Sequence, residues 1–400
     1  MLYPLLFETN LFPIVWGGRR LREMKGMPPA NEPVGESWEV SAVPGKESVV
    51  VNGPLAGKNL RELCAEYGAD LLGKAVQEKF GSEFPMLIKF IDAESDLSIQ
   101  VHPDDSVAME RHGSMGKTEM WYVVDAKPGT YLYAGFSKSI TSEEYRRRVE
   151  DGTICEVLAK HPIRMGDAFF IPAGRVHAIC GGALIAEVQQ SSDITYRIYD
   201  YGRMGMDGKP RELHTELAVD VLDYTVHKEY SISYPMELNK ANLVCECEFF
   251  TVRMQRLTTP VTRNLKHKDS FVVYVCMRGE CMVGESVHLK QGYSCLVPAS
   301  CAELQITPCG EKGMAELLEV FVDNEKFPEL NDTMEKIAEK YSVSKTTIAI
   351  AWILRHPAKM QPVTGTTNLT RLKDSFKATE ISLTREEWYV IYKAAGNILP

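Results

Sequence analysis

The chain has 400 residues, of which 44% are hydrophobic and 25% charged, and its net charge is −9. That length allows two or three domains with sizeable cores. The acidic balance, with no basic run, excludes a nucleic-acid partner, since a phosphodiester backbone would be repelled by the average field.

The stretch Met1 to Glu8 has no basic region and meets a carboxylate early, so no signal peptide is expected. No apolar run reaches the about 18 residues that a membrane span needs. A soluble, cytoplasmic protein without a membrane partner is the expectation. Ten cysteines are present, seven of them between Cys245 and Cys309, with no Cys-x2-Cys pair. A second metal cluster is conceivable there, but buried free thiols in a reducing compartment are the favoured reading.

In chain order, residues 1 to about 50 form short extended pieces broken by Gly and Pro. Over 57–80 the period changes, and Leu60, Leu63, Cys64, Tyr67 and Leu71 follow helical spacing. Strands are expected at Met86 to Ile91, Leu97 to His102 and Glu119 to Val124. Thr141-Ser142-Glu143-Glu144 has capping-box spacing and predicts a helix through Glu150. From Asp167 to Asp200 the chain is again strand-rich, as it is over 230–323. After Asp323 the pattern becomes helical, predicting helices over 331–356 and 384–396, the second opened by Thr384 and Glu387 and stopped by Gly396. The run Ala349 to Leu354 is apolar nearly all round and predicts burial on more than one side.

Within the first strand-rich part lies a set of residues with the chemistry of a metal site. Gln100 and His102 are two apart, so on a strand they leave the same face. Glu119 opens another strand, and His177 closes a Gly-x5-Pro-x-Gly-x2-His turn that begins at Gly166. Two imidazoles, a carboxylate and an amide oxygen suit a borderline divalent ion, Zn²⁺ first. The second strand-rich part repeats the Gly-x5-Pro portion at Gly292 to Pro298, but Ser300 and Glu303 stand where the second Gly and the His would be. A second barrel of the same kind, without the metal, is expected.

Gln-x-His-Pro-Asp, then Lys117-Thr118-Glu119, then Gly-Asp-x3-Ile-Pro-x-Gly-x2-His together resemble the first cupin barrel of the type I mannose-6-phosphate isomerases, in their short bacterial form. The resemblance runs from Phe12-Pro13-Ile14-Val15-Trp16-Gly17-Gly18 to about residue 323. It implies a mainly β fold of two cupin (jelly-roll) barrels: a metal-binding domain over 1–229 with a helical insertion, a metal-free one over 230–323, and an α-helical appendage over 324–400. It implies one Zn²⁺ per chain held by Gln100, His102, Glu119 and His177, and a small phosphorylated sugar as substrate. The catalytic residues by this reading are Arg197, Lys117 and Asp193, and Trp16 and Ser98 contact the substrate. Lys117 is two residues from Glu119 and shares its strand face; a cation beside it would favour its neutral form and make it a usable base. A phosphate- or hydroxyl-binding role for Lys117 is an equal alternative, and Asp193 is expected to orient Arg197. Long forms of the family carry a His just before the lysine; here that position is Gly116, so no role for such a His carries over. The oligomeric state stays open, with a monomer as the working expectation.

The tail departs from this family. Ile348 to Pro357, then Pro362-Val363-Thr364-Gly365-Thr366-Thr367-Asn368 and Arg371-Leu372, resemble the C-terminal end of an aldo-keto reductase. In that family the Gly-Thr-Thr-Asn loop and the arginine grip the 2′-phosphate of NADPH. A whole (β/α)₈ barrel needs roughly 250 residues, so the tail is expected to be a helical appendage without reductase chemistry. Two other classes remain open from sequence: an Fe²⁺-dependent cupin oxygenase, against which the amide of Gln100 weighs, and a non-catalytic sugar-binding cupin.

Overall fold

The strand Met86–Asp92 is buried along its whole length, and its alternation explains the architecture. Met86, Ile88 and Phe90 face one apolar cluster, while Leu87, Lys89 and Ile91 line a pocket on the other side. The strand Glu119–Ala126 behaves in the same way: Met120, Tyr122 and Val124 join the first cluster, and Trp121 and Val123 join a second one. A strand covered on both faces reads in sequence as a nearly continuous apolar run; inside these runs Lys89 and Glu187 point to the pocket, while Asp92, on the other face, pairs with Arg20 at 2.7 Å.

The computed structural model describes residues 2–266, 268–310, 313–323, 328–356, 358–362 and 369–395. The chain divides into two units, Met1–Asn324 and Glu325–Pro400. In the first unit, a seven-stranded and a five-stranded antiparallel sheet form one barrel, and a nine-stranded sheet system forms the second. The N-terminal strand Leu5–Leu6 pairs with Ser294–Val297, so the chain starts in the sheet of the second barrel before it builds the first. The largest cluster lies between the barrels, fed by Met86, Ile88 and Tyr122 from one side and by Val252, Phe271 and Val273 from the other. The second barrel has an interior cluster of Val272, Cys276, Leu317 and Phe321 among others, with the carboxylate of Glu319 buried beside it. The fold is thus mainly β, two cupin barrels with helices on the first and a helical C-terminal region.

The helical stretch expected over 57–80 is three helices, Leu60–Tyr67, Ala69–Leu72 and Lys74–Phe80, separated at Gly68 and Gly73. Leu60, Leu63, Cys64 and Leu71 are buried as the spacing requires. The helix Ser142–Glu150 is capped by Thr141, which accepts from the Glu144 N–H, and it packs Tyr145 against the outside of the five-stranded sheet. All ten cysteines are free thiols. Among the described residues no helix is long and apolar enough to cross a membrane.

The second unit holds helices Pro328–Tyr341, Lys345–Leu354, Leu369–Lys377 and Arg385–Ala394. The single helix expected over 331–356 is broken, because Ser342 takes a left-handed backbone (φ 54°) and Ser344 caps the next helix by accepting from Thr347 N. The helix at 369–377 was not expected from sequence. Ile337, Ala338, Ile348, Ala351, Leu383 and Ile391 form the core of this unit. Within the apolar run 349–354 only Ala351 is fully buried, so the expected burial on several sides is not met. Trp352 and Trp388 stack 4.8 Å apart, and each indole N–H donates to the other's backbone carbonyl, at 2.9 and 3.1 Å. The Thr384–Glu387 capping box is formed. Gly365-Thr366-Thr367-Asn368, the Arg371 side chain and Gly396 lie outside the described residues.

Candidate active site

His102 follows the strand Ile99–Val101, and His177 opens the strand His177–Ile179, whose first residue is the cross-strand partner of Gln100. Glu119 opens Glu119–Ala126 in the other sheet of the barrel. The barrel therefore closes around three side chains, and their donor atoms lie within 4.8 Å of one another, all buried. Nε2 of His102 is 3.1 Å from Oε1 of Glu119, and Nε2 of His177 is 3.9 Å from Oε2.

Local contacts fix each ligand. His102 Nδ1 lies 2.8 Å from the carbonyl of Ile194, and His177 Nδ1 lies 2.8 Å from that of Arg175. A carbonyl only accepts, so both rings carry the proton on Nδ1 and turn a bare Nε2 lone pair to the centre. Gly174, with φ +87°, donates its N–H to the carbonyl of His102 at 2.9 Å, and a Cβ there would press on the Val221 carbonyl at 2.9 Å. The glycine of the turn thus ties the two histidine segments together. Asp104 of the His-Pro-Asp motif caps the helix Asp105–His112. Oδ1 of Asp105 accepts from Gly116 N at 2.7 Å and from Gln190 Nε2 at 2.8 Å, which sets the loop that presents Lys117.

Gly116 is forced by packing, since a Cβ there would strike the backbone of Asp104 and Asp105. A histidine before Lys117 does not fit this backbone.

The electrostatics match a cation site. Burial, followed by the Lys117 ammonium, pushes the His102 imidazole down to about 3. Burial also lowers His177. Burial alone would raise Glu119, but Lys117 and the two imidazoles outweigh it and hold this carboxylate well below its usual range. His102 Nε2 and Glu119 Oε1 are buried with no hydrogen-bond partner, although Lys117 Nζ makes an ion pair with that oxygen at 2.9 Å. Buried polar atoms are seldom left so. A tetrahedral ion with bonds of 2.0–2.1 Å has a donor–donor edge of roughly 3.4 Å, which the 3.1 and 3.9 Å separations straddle. The residues present therefore fit a divalent ion. Gln100 is placed with its amide nitrogen 3.2 Å from His177 Nε2 and its oxygen 3.4 Å from the Ser98 hydroxyl. A half-turn of the amide, which exchanges two isosteric atoms, would direct its oxygen to the centre.

The centre adjoins a pocket of about 250 Å³ lined by Gln100, Lys117, Trp16, Ser98, Asp193 and Arg197 among others. All the residues assigned to substrate or catalysis from sequence thus share one cavity. Asp193 does not orient Arg197; it reaches Lys46 at 3.5 Å across the rim. Arg197 instead donates to the Glu212 carbonyl at 2.9 Å, and its buried Nε has no partner. Burial and the nearby Arg211 disfavour its charge, which an anion in the pocket would offset.

Several pocket residues escaped the sequence reading. Lys46, Lys89 and Arg211 bring the cations to five, against the carboxylates of Glu36, Glu187 and Asp193. Glu187 and Lys89 are cross-strand partners joined by a 2.8 Å ion pair. The Trp121 indole N–H is shared between Glu187 at 2.8 Å and Glu119 at 3.0 Å. Burial, followed by the charge of Glu119, raises the pKa of Glu187. The same aromatic–carboxylate pairing recurs in the second barrel, where the Tyr274 hydroxyl donates to its partner Glu319 at 3.1 Å, but Val272 and Val297 occupy the ligand level there.

Comparison with known proteins agrees with this geometry. The type I phosphomannose isomerase catalytic domain matches residues 7–129, the mannose-6-phosphate isomerase cupin domain matches 239–317, and the aldo/keto reductase family matches 296–395. The mannose-6-phosphate isomerase of Streptococcus mutans is 37% identical over 303 residues, covering 74% of this chain and 93% of that protein. The mannose-6-phosphate isomerase ManA of Bacillus subtilis is 35% identical over 314 residues, covering 76% and 95%. The crystal structure of the mannose 6-phosphate isomerase from Bacillus subtilis superimposes with a TM-score of 0.72 at 32% identity, over 80% of this chain and 99% of that one. With nearly the whole length of such relatives matched, this chain belongs to the type I mannose-6-phosphate isomerase family.

Proposed function

We propose that the chain is a zinc-dependent aldose–ketose isomerase that interconverts mannose 6-phosphate and fructose 6-phosphate through an enediol. The observation that carries this reading is the buried His102, Glu119 and His177 set, in which His102 Nε2 and Glu119 Oε1 have no hydrogen-bond partner, beside a pocket whose cations outnumber its carboxylates. At about 250 Å³ the pocket suits one small molecule. His102, Glu119, His177 and a turned Gln100 would hold one Zn²⁺, which when bound supplies Lewis acidity toward the carbonyl oxygen of the sugar.

The chain's own residues handle the rest. Arg197 presents a fork of N–H donors to an oxyanion or to the phosphate. Lys117, between Glu119 and the pocket, moves the proton between C1 and C2. Lys46 and Asp193 close the rim, and Trp16 offers an apolar wall to the sugar ring. Ser98 fixes the Gln100 amide. A coupled assay with mannose 6-phosphate tests the reading: turnover that chelation abolishes and Zn²⁺ restores is expected. A fully metal-loaded chain that leaves mannose 6-phosphate unchanged would overturn it.

A further inference from the structure

The outer face of the second barrel carries metal-ligating side chains for which the isomerase reading has no use. Glu280 lies in the strand Val272–Val283, His288 in Val287–Lys290 and Cys309 at the end of Glu303–Cys309. Cys281, Val283, Val287 and Leu289 are buried in the barrel interior, so alternation sends Glu280 and His288 outward. Glu280 is the cross-strand partner of both Lys290 and Cys309, and Met282 is that of His288. Carboxylate, imidazole and thiol thus leave one face of three adjacent strands. His288 Nε2 is 2.6 Å from Glu280 Oε2, and the three donor atoms lie within 4.8 Å of one another. Gly310, with φ +77°, lets the chain turn directly against the Glu280 carboxylate.

We propose that Glu280, His288 and Cys309 form a second metal site on the outside of the second barrel, binding a borderline divalent cation of the Zn²⁺ type. One nitrogen, one oxygen and one sulfur donor match that ion, and a thiolate disfavours Mg²⁺ or Ca²⁺, which take oxygen ligands. Three protein ligands leave the fourth position to water. The site is not the counterpart of the first-barrel centre, whose ligands point into the barrel. Bound metal would pin three strands of the second barrel together.

The sulfur ligand makes the two sites separable. The first-barrel set has no thiol, so only the second site gives a thiolate-to-Co²⁺ charge-transfer band in the near ultraviolet. The full chain, stripped by chelation and titrated with Co²⁺, should take up two ions and develop this band. Cys309→Ser and His288→Ala should each lose the band and one ion while keeping isomerase turnover. His177→Ala should lose the other ion and keep the band. No band at saturating Co²⁺, or a band that survives Cys309→Ser, would overturn the proposal. Neither outcome bears on the isomerase reading, which rests on turnover and on His177.

Discussion

The Lys117 ammonium lies 2.9 Å from Oε1 of Glu119. That same oxygen stands 3.1 Å from His102 Nε2, at the proposed metal position. One carboxylate oxygen therefore faces two cations once the metal is bound, and Lys117 competes with the ion for it. Lys117→Met should keep its metal, or bind it more tightly, because a competing charge is gone. Turnover should nevertheless fall by about 10²- to 10⁴-fold, the range for loss of a general acid–base. Metal content and kcat measured on the same preparation check this. Turnover close to that of the parent chain would remove Lys117 from the proton path.

His177→Ala deletes a proposed ligand whose ring is oriented by the Arg175 carbonyl, 2.8 Å from its Nδ1. Metal analysis of the purified variant should show loss of the first-barrel ion, with isomerase activity lost alongside it. A variant that keeps both would sink the assignment of this centre.

Arg197→Lys should cost on the order of 10²-fold or more in kcat, the size of effect seen when one oxyanion donor is removed. The unpartnered Nε and the pocket position of Arg197 motivate this. Lysine keeps the charge and loses the planar fork. A change confined to KM would mean uniform binding and would place Arg197 on a part of the substrate remote from the chemistry.

The metal-free chain should lose stability in acid through its buried imidazoles. The His102 pKa is lowered from 6.5 to about 3, and that of His177 is lowered as well. Below pH 6.5 the unfolded chain takes up protons at these positions and the folded chain does not. Stability thus falls with pH across that window and loses no more from His102 below about 3. Thermal melts of the chelated protein should show this slope, and His102→Gln should flatten it. Parallel slopes in the two proteins would exclude the imidazole as its source.

How much of this was legible in the sequence depends on what each residue's role requires. Gln100, His102, Glu119 and His177 stood out because their spacing is local: a two-residue step on a strand and a glycine-proline-glycine turn. Lys89 and Glu187 were hidden although each is a lone charge in an apolar run. Their meaning comes from a cross-strand register that no local pattern specifies. Lys46 and Arg211 sit outside the regular strands, and only the closed barrel turns them to the pocket. The break at Ser342 was masked by an apolar period that continues across it. Its signal was Ser344, three residues before Thr347, at N-cap spacing.

Removal of the tail gives the last test. Every residue assigned to the isomerase site precedes Asp323, and the helices after it have their own core of Ile337, Ile348, Leu383 and Ile391. The chain ended after Asp323 should therefore fold and keep turnover within a few-fold. The aldo/keto reductase family matches residues 296–395, a stretch far short of the roughly 250 residues of a whole barrel. A nicotinamide site built from strands all round such a barrel cannot form from its last part, so the full chain should not oxidise NADPH in the presence of sugar aldehydes. Turnover of the shortened chain and NADPH absorbance with the full chain measure the two halves of this expectation. A folded but inactive 1–323 chain, or stoichiometric NADPH oxidation by the full one, would show that the tail takes part in the chemistry.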